Sequence, residues 1–194
     1  MQLKGIKVGF AITGSHCTIR DILPQISVLV ENGAVVSPII SVSVDSDNTR
    51  FGTADEWKEA LKNITGHEII RTIIDAEPIG PNKLFDVIIV APCTGNTLAK
   101  LANAITDSPV LMAVKAHLRN QRPVVLAVST NDGLGINARN IGLLLNMKNI
   151  YMVPFGQDNP QVKANSLVAK MSLINETVVK ALEGKQLQPL LVQI

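Results

Sequence analysis

The sequence predicts a doubly wound α/β fold, with a mostly parallel sheet flanked by helices. Three observations predict it. Strand-length apolar runs at residues 6–13, 85–91 and 123–129 each end abruptly, in Gly14-Ser15, in Pro92 and in Thr130-Asn131-Asp132-Gly133, the pattern of strands buried on both faces. Apolar residues between those runs recur at three- and four-residue spacing, which gives helices one buried stripe. Strand and helix signals alternate from one end to the other, and parallel sheets are built in that way.

The elements follow in order. The run at 6–13, Ile-Lys-Val-Gly-Phe-Ala-Ile-Thr, empties into Gly14-Ser15, and after Thr18 the positions Ile19, Ile22, Leu23, Ile26, Leu29 and Val30 mark a helix that Asn32-Gly33 ends. Residues 35–44 are rich in β-branched side chains and read as the second strand, with Pro38 favouring a sheet edge. Residues 45–52 read as a surface loop, and Thr53-Ala54-Asp55-Glu56 as a capping box for a helix through Lys62 that Gly66 stops. A short strand is expected at 69–74, and a loop at 75–81 because of Pro78, Gly80 and Pro81. The run at 85–91 is the most hydrophobic and belongs at the sheet centre, with Pro92 ending it. Helices follow at 94–105, where Leu98, Leu101, Ala102 and Ile105 share a face, and from Pro109 to about residue 120. A strand at 123–129, a helix at 137–147, a strand at 150–155 and a helix at 167–182 complete the chain.

Its 194 residues suit a single domain spanning 1–194. With 46% hydrophobic and 18% charged residues the chain has ample material for a core. A net charge of +2, without a basic run, argues against a nucleic-acid surface. No apolar stretch approaches the roughly 20 residues that a membrane span needs, and Met1-Gln2-Leu3-Lys4 leads directly into a strand. A cytoplasmic location is therefore expected. Cys17 and Cys93 lack metal-ligand spacing and read as free thiols, so no metal site is expected.

Function is expected where strands discharge into loops, because open α/β sheets bind ligands outside the carboxyl ends of their strands. Thr13-Gly14-Ser15-His16-Cys17-Thr18 places a glycine and hydroxyls at a helix start, suited to a phosphate but also to plain capping. Pro92-Cys93-Thr94-Gly95-Asn96-Thr97 follows the central strand, and Ser129-Thr130-Asn131-Asp132-Gly133 a later one. Each alone passes for a turn or cap. Their coincidence around one crevice points to a ligand.

These motifs resemble the flavin-containing cysteine-decarboxylase superfamily, in which a Pro-Ala-Ser-Ala-Asn-Thr element follows a central strand and a Pro-x-Met-Asn element a later one. Pro92, Asn96 and Thr97 match the first, with Thr94 in the serine position, and Asn131 matches the asparagine of the second. The resemblance implies a Rossmann-like flavoprotein fold that binds FMN: Gly14, Ser15 and Ser41 at the phosphate, Thr94, Asn96 and Thr97 along the ribityl chain, the backbone at Pro92 and Cys93 near the ring, and Ser129 at the same crevice. Asn131 would face the substrate. Superfamily members form trimers or multiples of them, so a homo-oligomer is implied. The thiol decarboxylases carry a histidine before the central strand, and residues 75–81 contain none.

Residues 75–81, 91–107 and 150–158 resemble one branch in particular, whose members each serve as one component of a two-part oxidoreductase in spore-forming bacteria. That likeness implies oxidation of a small dihydropyridine dicarboxylate to its aromatic product, with NAD(P) on a partner subunit. Asn131 would orient the substrate, Glu77 or His16 would handle a proton, and Arg50, Arg119 and Lys163 are cations able to meet carboxylates. A supporting FMN-binding role without catalysis, or decarboxylation, stand as alternatives.

Overall fold

Buried apolar strands and one-sided helices assemble around a single apolar core in a computed structural model that describes residues 2–194; Met1, where the N-terminal segment begins, lies outside the described residues. Strand β1 (Lys7–Ile12) is buried beyond its first residue. Helix α1 (His16–Glu31) starts two residues before Thr18 and buries Ile19, Ile22, Ile26 and Leu29 against the sheet. Gly33, at φ +91, turns the chain back toward β2 (Val35–Ile40), a conformation that side chains with a Cβ resist.

The central strands are β3 (Val87–Cys93) and β4 (Val124–Thr130), and the later strands are β5 (Ile150–Met152), β6 (Phe155–Gly156) and β7 (Leu167–Ala169). The sheet order is β2-β1-β3-β4-β7-β6, with β5 also paired to β4. Pairs among β1 to β5 are parallel, while β7 runs antiparallel to β4 and β6. The mostly parallel class holds. Pro38 sits on β2, an edge strand, where its missing N–H is tolerated. The other helices are α2 (Val42–Ser46), α3 (Ala54–Thr65), α4 (Ile73–Ala76), α5 (Gly95–Ala102), α6 (Pro109–Leu118), α7 (Asn137–Leu145) and α8 (Ile174–Leu182). None among the described residues is long and apolar enough to cross a membrane.

Several boundaries differ from expectation, each for a local reason. The second strand stops at Ile40 because Ser41 caps α2, its Oγ accepting from Val44 N. The expected loop at 45–52 therefore starts as helix, and Asp45 is held by Arg71 and Lys58. The 69–74 strand shrinks to one bridge, Ile39 to Ile70, since Thr72 and Asp75 form a second capping box and open α4. The expected 75–81 loop is helical too: residues 77–79 form a 3-10 turn that admits Pro78 in its first positions. Pro92 does not end β3. Val90 pairs with Leu126 and Cys93 with Val128, so three steps on β3 oppose two on β4, and the proline sits in that bulge. Ile105 lies beyond α5 and is 46% exposed. The 150–155 strand breaks into β5 and β6, and the first part of the expected 167–182 helix is β7, because Val168 and Leu167 pair with Ser129 and Thr130. The Thr53–Glu56 capping box and the αL glycine at Gly66 form as expected.

Candidate functional site

Three strand ends converge because hydroxyls tie them together. Thr13, at the end of β1, donates from Oγ1 to Pro92 O at 2.6 Å and accepts from Thr94 N at 3.1 Å, which fastens β1 to β3. Ser15 Oγ lies 2.9 Å from Ser129 Oγ, and Thr18 Oγ1 lies within 3.1 Å of both, which fastens the first loop to β4. Thr94 caps α5, accepting from Thr97 N and pairing with Thr97 Oγ1 at 2.9 Å. A buried polar group needs such partners, so these bonds make a rigid floor.

Two clefts open above that floor. The first, of about 520 Å³, is lined by Thr13, Gly14, Ser41, Thr94, Asn96 and Thr97, with Ser43 and Ser46 from α2, Asp47 just after it, and Lys100, Asp107 and Ser108 beyond. The second, of about 320 Å³, is lined by Gly14, Ser15, Thr94, Gly95, Asn96 and Ser129 through Asp132, with Asn137. Gly14, Thr94 and Asn96 belong to both, so the clefts are two halves of one depression. Asn96 and Asn131 are exposed and their side-chain amides bond to no other described residue, in contrast to those of Asn103, Asn120, Asn137 and Asn140, which are engaged within the chain.

The structure thus brings together Gly14, Ser15, Ser41, Thr94, Asn96, Thr97, Ser129 and Asn131. Pro92 and Cys93, expected beside the ring, are buried and line neither cleft, and burial pushes the Cys93 thiol far up. Glu77 is exposed on the 3-10 turn and lines neither cleft. His16 borders the first: its Nε2 lies 3.1 Å from Ser43 Oγ, while its Nδ1 is buried with no partner among the described residues. The three cations are also absent from both linings. Arg50 lies over the Phe51 ring, Arg119 follows α6, and Lys163 pairs with Asp158 at 3.1 Å.

Acid groups dominate the rim. Hydrogen bonds from Ser43 and Ser46 hold Asp47 below the ordinary carboxylate range. Asp132 is held low by Thr130 and then by Asn137, whose Nδ2 reaches both carboxylate oxygens at 2.9 Å. Lys100 is the single lysine or arginine among the residues lining the clefts, and its Nζ pairs with Asp107 at 2.7 Å. Sequence reasoning missed Thr13, Ser43, Lys100, Asp132 and Asn137 as site residues. Thr13 and Asp132 lay inside the polar clusters already singled out; Asn137, read as the start of a helix, carried no signal beyond its side-chain type.

Comparisons with known proteins agree with this fold. The Flavoprotein family model matches residues 1–185. The chain is 54% identical to the B subunit of dipicolinate synthase of Bacillus subtilis (strain 168) over 192 residues, covering 99% of this chain and 96% of that one. The crystal structure of the dipicolinate synthase B subunit from Bacillus halodurans C superposes with a TM-score of 0.92 at 52% identity, covering 100% and 99% of the two chains. The FMN binding protein AtHal3 shares the fold, with a TM-score of 0.65 at 20% identity over 90% of this chain and 95% of that one.

Proposed function

Because the chain belongs to the Flavoprotein family, we propose that it is the B subunit of a dipicolinate synthase. In that reading it binds FMN in the joined clefts and works with an NAD(P)-carrying A subunit in the mother-cell cytoplasm of a sporulating bacterium. The reaction removes two electrons and two protons from dihydrodipicolinate, itself formed from 4-hydroxy-tetrahydrodipicolinate by loss of water, and leaves the aromatic dicarboxylate.

One observation carries the reading: Gly14, Thr94 and Asn96 face both clefts, so a single elongated ligand can touch all three strand ends. The combined space suits a cofactor, since such sites run to about 300–1,000 Å³. The donor set also fits FMN. Hydroxyls of Ser41, Thr94 and Thr97 and the free amide of Asn96 suit a polyol chain, and the turn at Gly14-Ser15, opening α1, suits a phosphate. When bound, FMN supplies a two-electron acceptor. Asn131 orients the substrate from the second cleft. His16, beside the first cleft, is the remaining candidate for proton handling.

A supporting role for this chain is favoured by one feature. A dicarboxylate needs cations, and the only lysine or arginine lining the clefts is already paired with Asp107. In this second reading the NAD(P)-carrying partner, or another copy in a homo-oligomer, supplies the missing positive charge.

Purified protein titrated with FMN should quench flavin fluorescence, and a protein that rejects FMN defeats both readings. Anaerobic dihydrodipicolinate should bleach the flavin band if electrons pass through this chain; full turnover by the NAD(P)-carrying partner without it places it in support. Replacing Asn131 with alanine should lower turnover by the assembled enzyme about tenfold or more, with FMN content unchanged. Unchanged turnover removes Asn131 from the site.

A further inference from the structure

The loop that carries Asn131 is clamped on both sides of that residue by one carboxylate. Thr130 Oγ1 donates to Asp132 Oδ1, so the neighbours of Asn131 are bonded to each other and the residue between them projects outward, exposed. Asn137 Nδ2 donates to both oxygens of Asp132 at 2.9 Å, and Asn140 Nδ2 donates to Asn137 Oδ1 at 2.8 Å. Asn137 and Asn140 are buried, and every donor in this relay points toward Asp132. The backbone closes the loop as well, with Gly135 N donating to Asp132 O at 2.9 Å.

The site is built to keep that charge. A Cβ on Gly95, the first residue of α5, would come within 2.7 Å of Asn137 Nδ2 and 2.8 Å of Asp132 Oδ1. The bare α-carbon therefore lets the start of α5 abut the carboxylate, and Asn137 opens α7 on its other side. An anion between two helix N-termini is stabilised by both dipoles. Asp132 also lines the second cleft, in which no lysine or arginine offsets it.

We propose that Asp132 is a positioning residue of the second cleft, whose fixed negative charge presents Asn131 and holds a flavin bound there at a lowered reduction potential. This rests on the flavin reading of the clefts. Its physical basis is that two-electron reduction with uptake of one proton leaves the ring with a net negative charge, and a fixed anion lining the same cleft disfavours that form more than the neutral oxidised one. The consequence is a flavin that gives its electrons up readily to a downstream acceptor.

The test is the equilibrium reduction potential of FMN-loaded protein, with FMN affinity measured by fluorescence titration. Asp132→Asn should change the affinity ratio of oxidised to reduced flavin about tenfold, a potential about 30 mV more positive for a two-electron couple. The exchange D132N/N137D restores a donor and acceptor pair and returns the charge to the cluster, and its potential should fall back toward wild type. An unmoved potential in Asp132→Asn overturns the inference while leaving the flavin reading intact. A double variant that keeps the single variant's potential also overturns it, because loop shape and not charge then sets the value. Wild-type protein that takes up no FMN sinks both together.

Discussion

The two ends of the sheet are both rich in polar side chains, and they use them in opposite ways. At the amino ends of the strands, Asp86 accepts from Lys7 N at 2.9 Å and faces Arg122, Arg122 Nη1 donates to Phe85 O, Asn120 donates to Gly80 O at 2.7 Å, and His117 Nε2 lies 3.1 Å from Pro123 O. Each of these groups is spent on backbone. At the carboxyl ends, the side-chain amides of Asn96 and Asn131 have no hydrogen-bond partner among the described residues, and Ser41 and Thr94, although each caps a helix, also line the clefts. Polar residues with backbone partners report how the fold is fastened, whereas polar residues turned toward a cavity report what it is for. Changes at the first end should therefore move stability alone, and changes at the second should move ligand affinity.

The largest expected effect lies at the amino end. His117 is 1% exposed, and burial lowers its pKa from the ordinary 6.5 to about 4, against the opposing pull of its bond to Pro123. The folded state thus refuses a proton that the unfolded chain accepts. Stability from this group is complete above about pH 6.5 and declines as pH falls toward 4, by about 3 kcal/mol in all. Urea midpoints measured across that window should show the decline, and His117→Gln should flatten it; equal slopes in both proteins would place the acid sensitivity elsewhere.

Thr13 sharpens the comparison because it stands at the carboxyl end and is fully bonded. It is 2% exposed and holds both Pro92 O and Thr94 N. Thr13→Val keeps the shape and strands two backbone groups, for a loss of about 2 kcal/mol. Flavin affinity should fall with it, since Thr94 loses its anchor. A variant that loses affinity at unchanged stability would show that the floor and the cleft are less coupled than their bonds imply.

The sheet was legible in the sequence because its strands are continuous apolar runs, and the length of such a run does not depend on what it packs against. Boundaries were less legible. Ser41, Thr72 and Asp75 can each cap a helix or end a strand, and only the space available decides. Leu167 to Ala169 carried apolar spacing compatible with a helix, and pairing to Ser129 and Thr130 overrode it. The site was legible as three clusters but not as a network: the pairing of Ser15 with Ser129 spans 114 positions, and no local pattern encodes it. Glu77, expected to handle a proton, is on the surface because residues 73–79 wind as helix.

Asn96 gives the smallest effect and the cleanest test of the contrast between the two ends. It lies in the first turn of α5 between the two clefts, exposed, with no side-chain hydrogen bond to another described residue. Replacing it with alanine removes no internal hydrogen bond and installs a better helix former, so the flavin-free protein should keep its stability to within about 0.5 kcal/mol. If its amide donates to the cofactor, one or two hydrogen bonds are lost on substitution, and FMN affinity should weaken about tenfold, equivalent to about 1.4 kcal/mol. Thermal unfolding without FMN and fluorescence titration with it separate the two quantities. Loss of stability at constant affinity would reverse the assignment, making Asn96 a fastening residue like those at the opposite end.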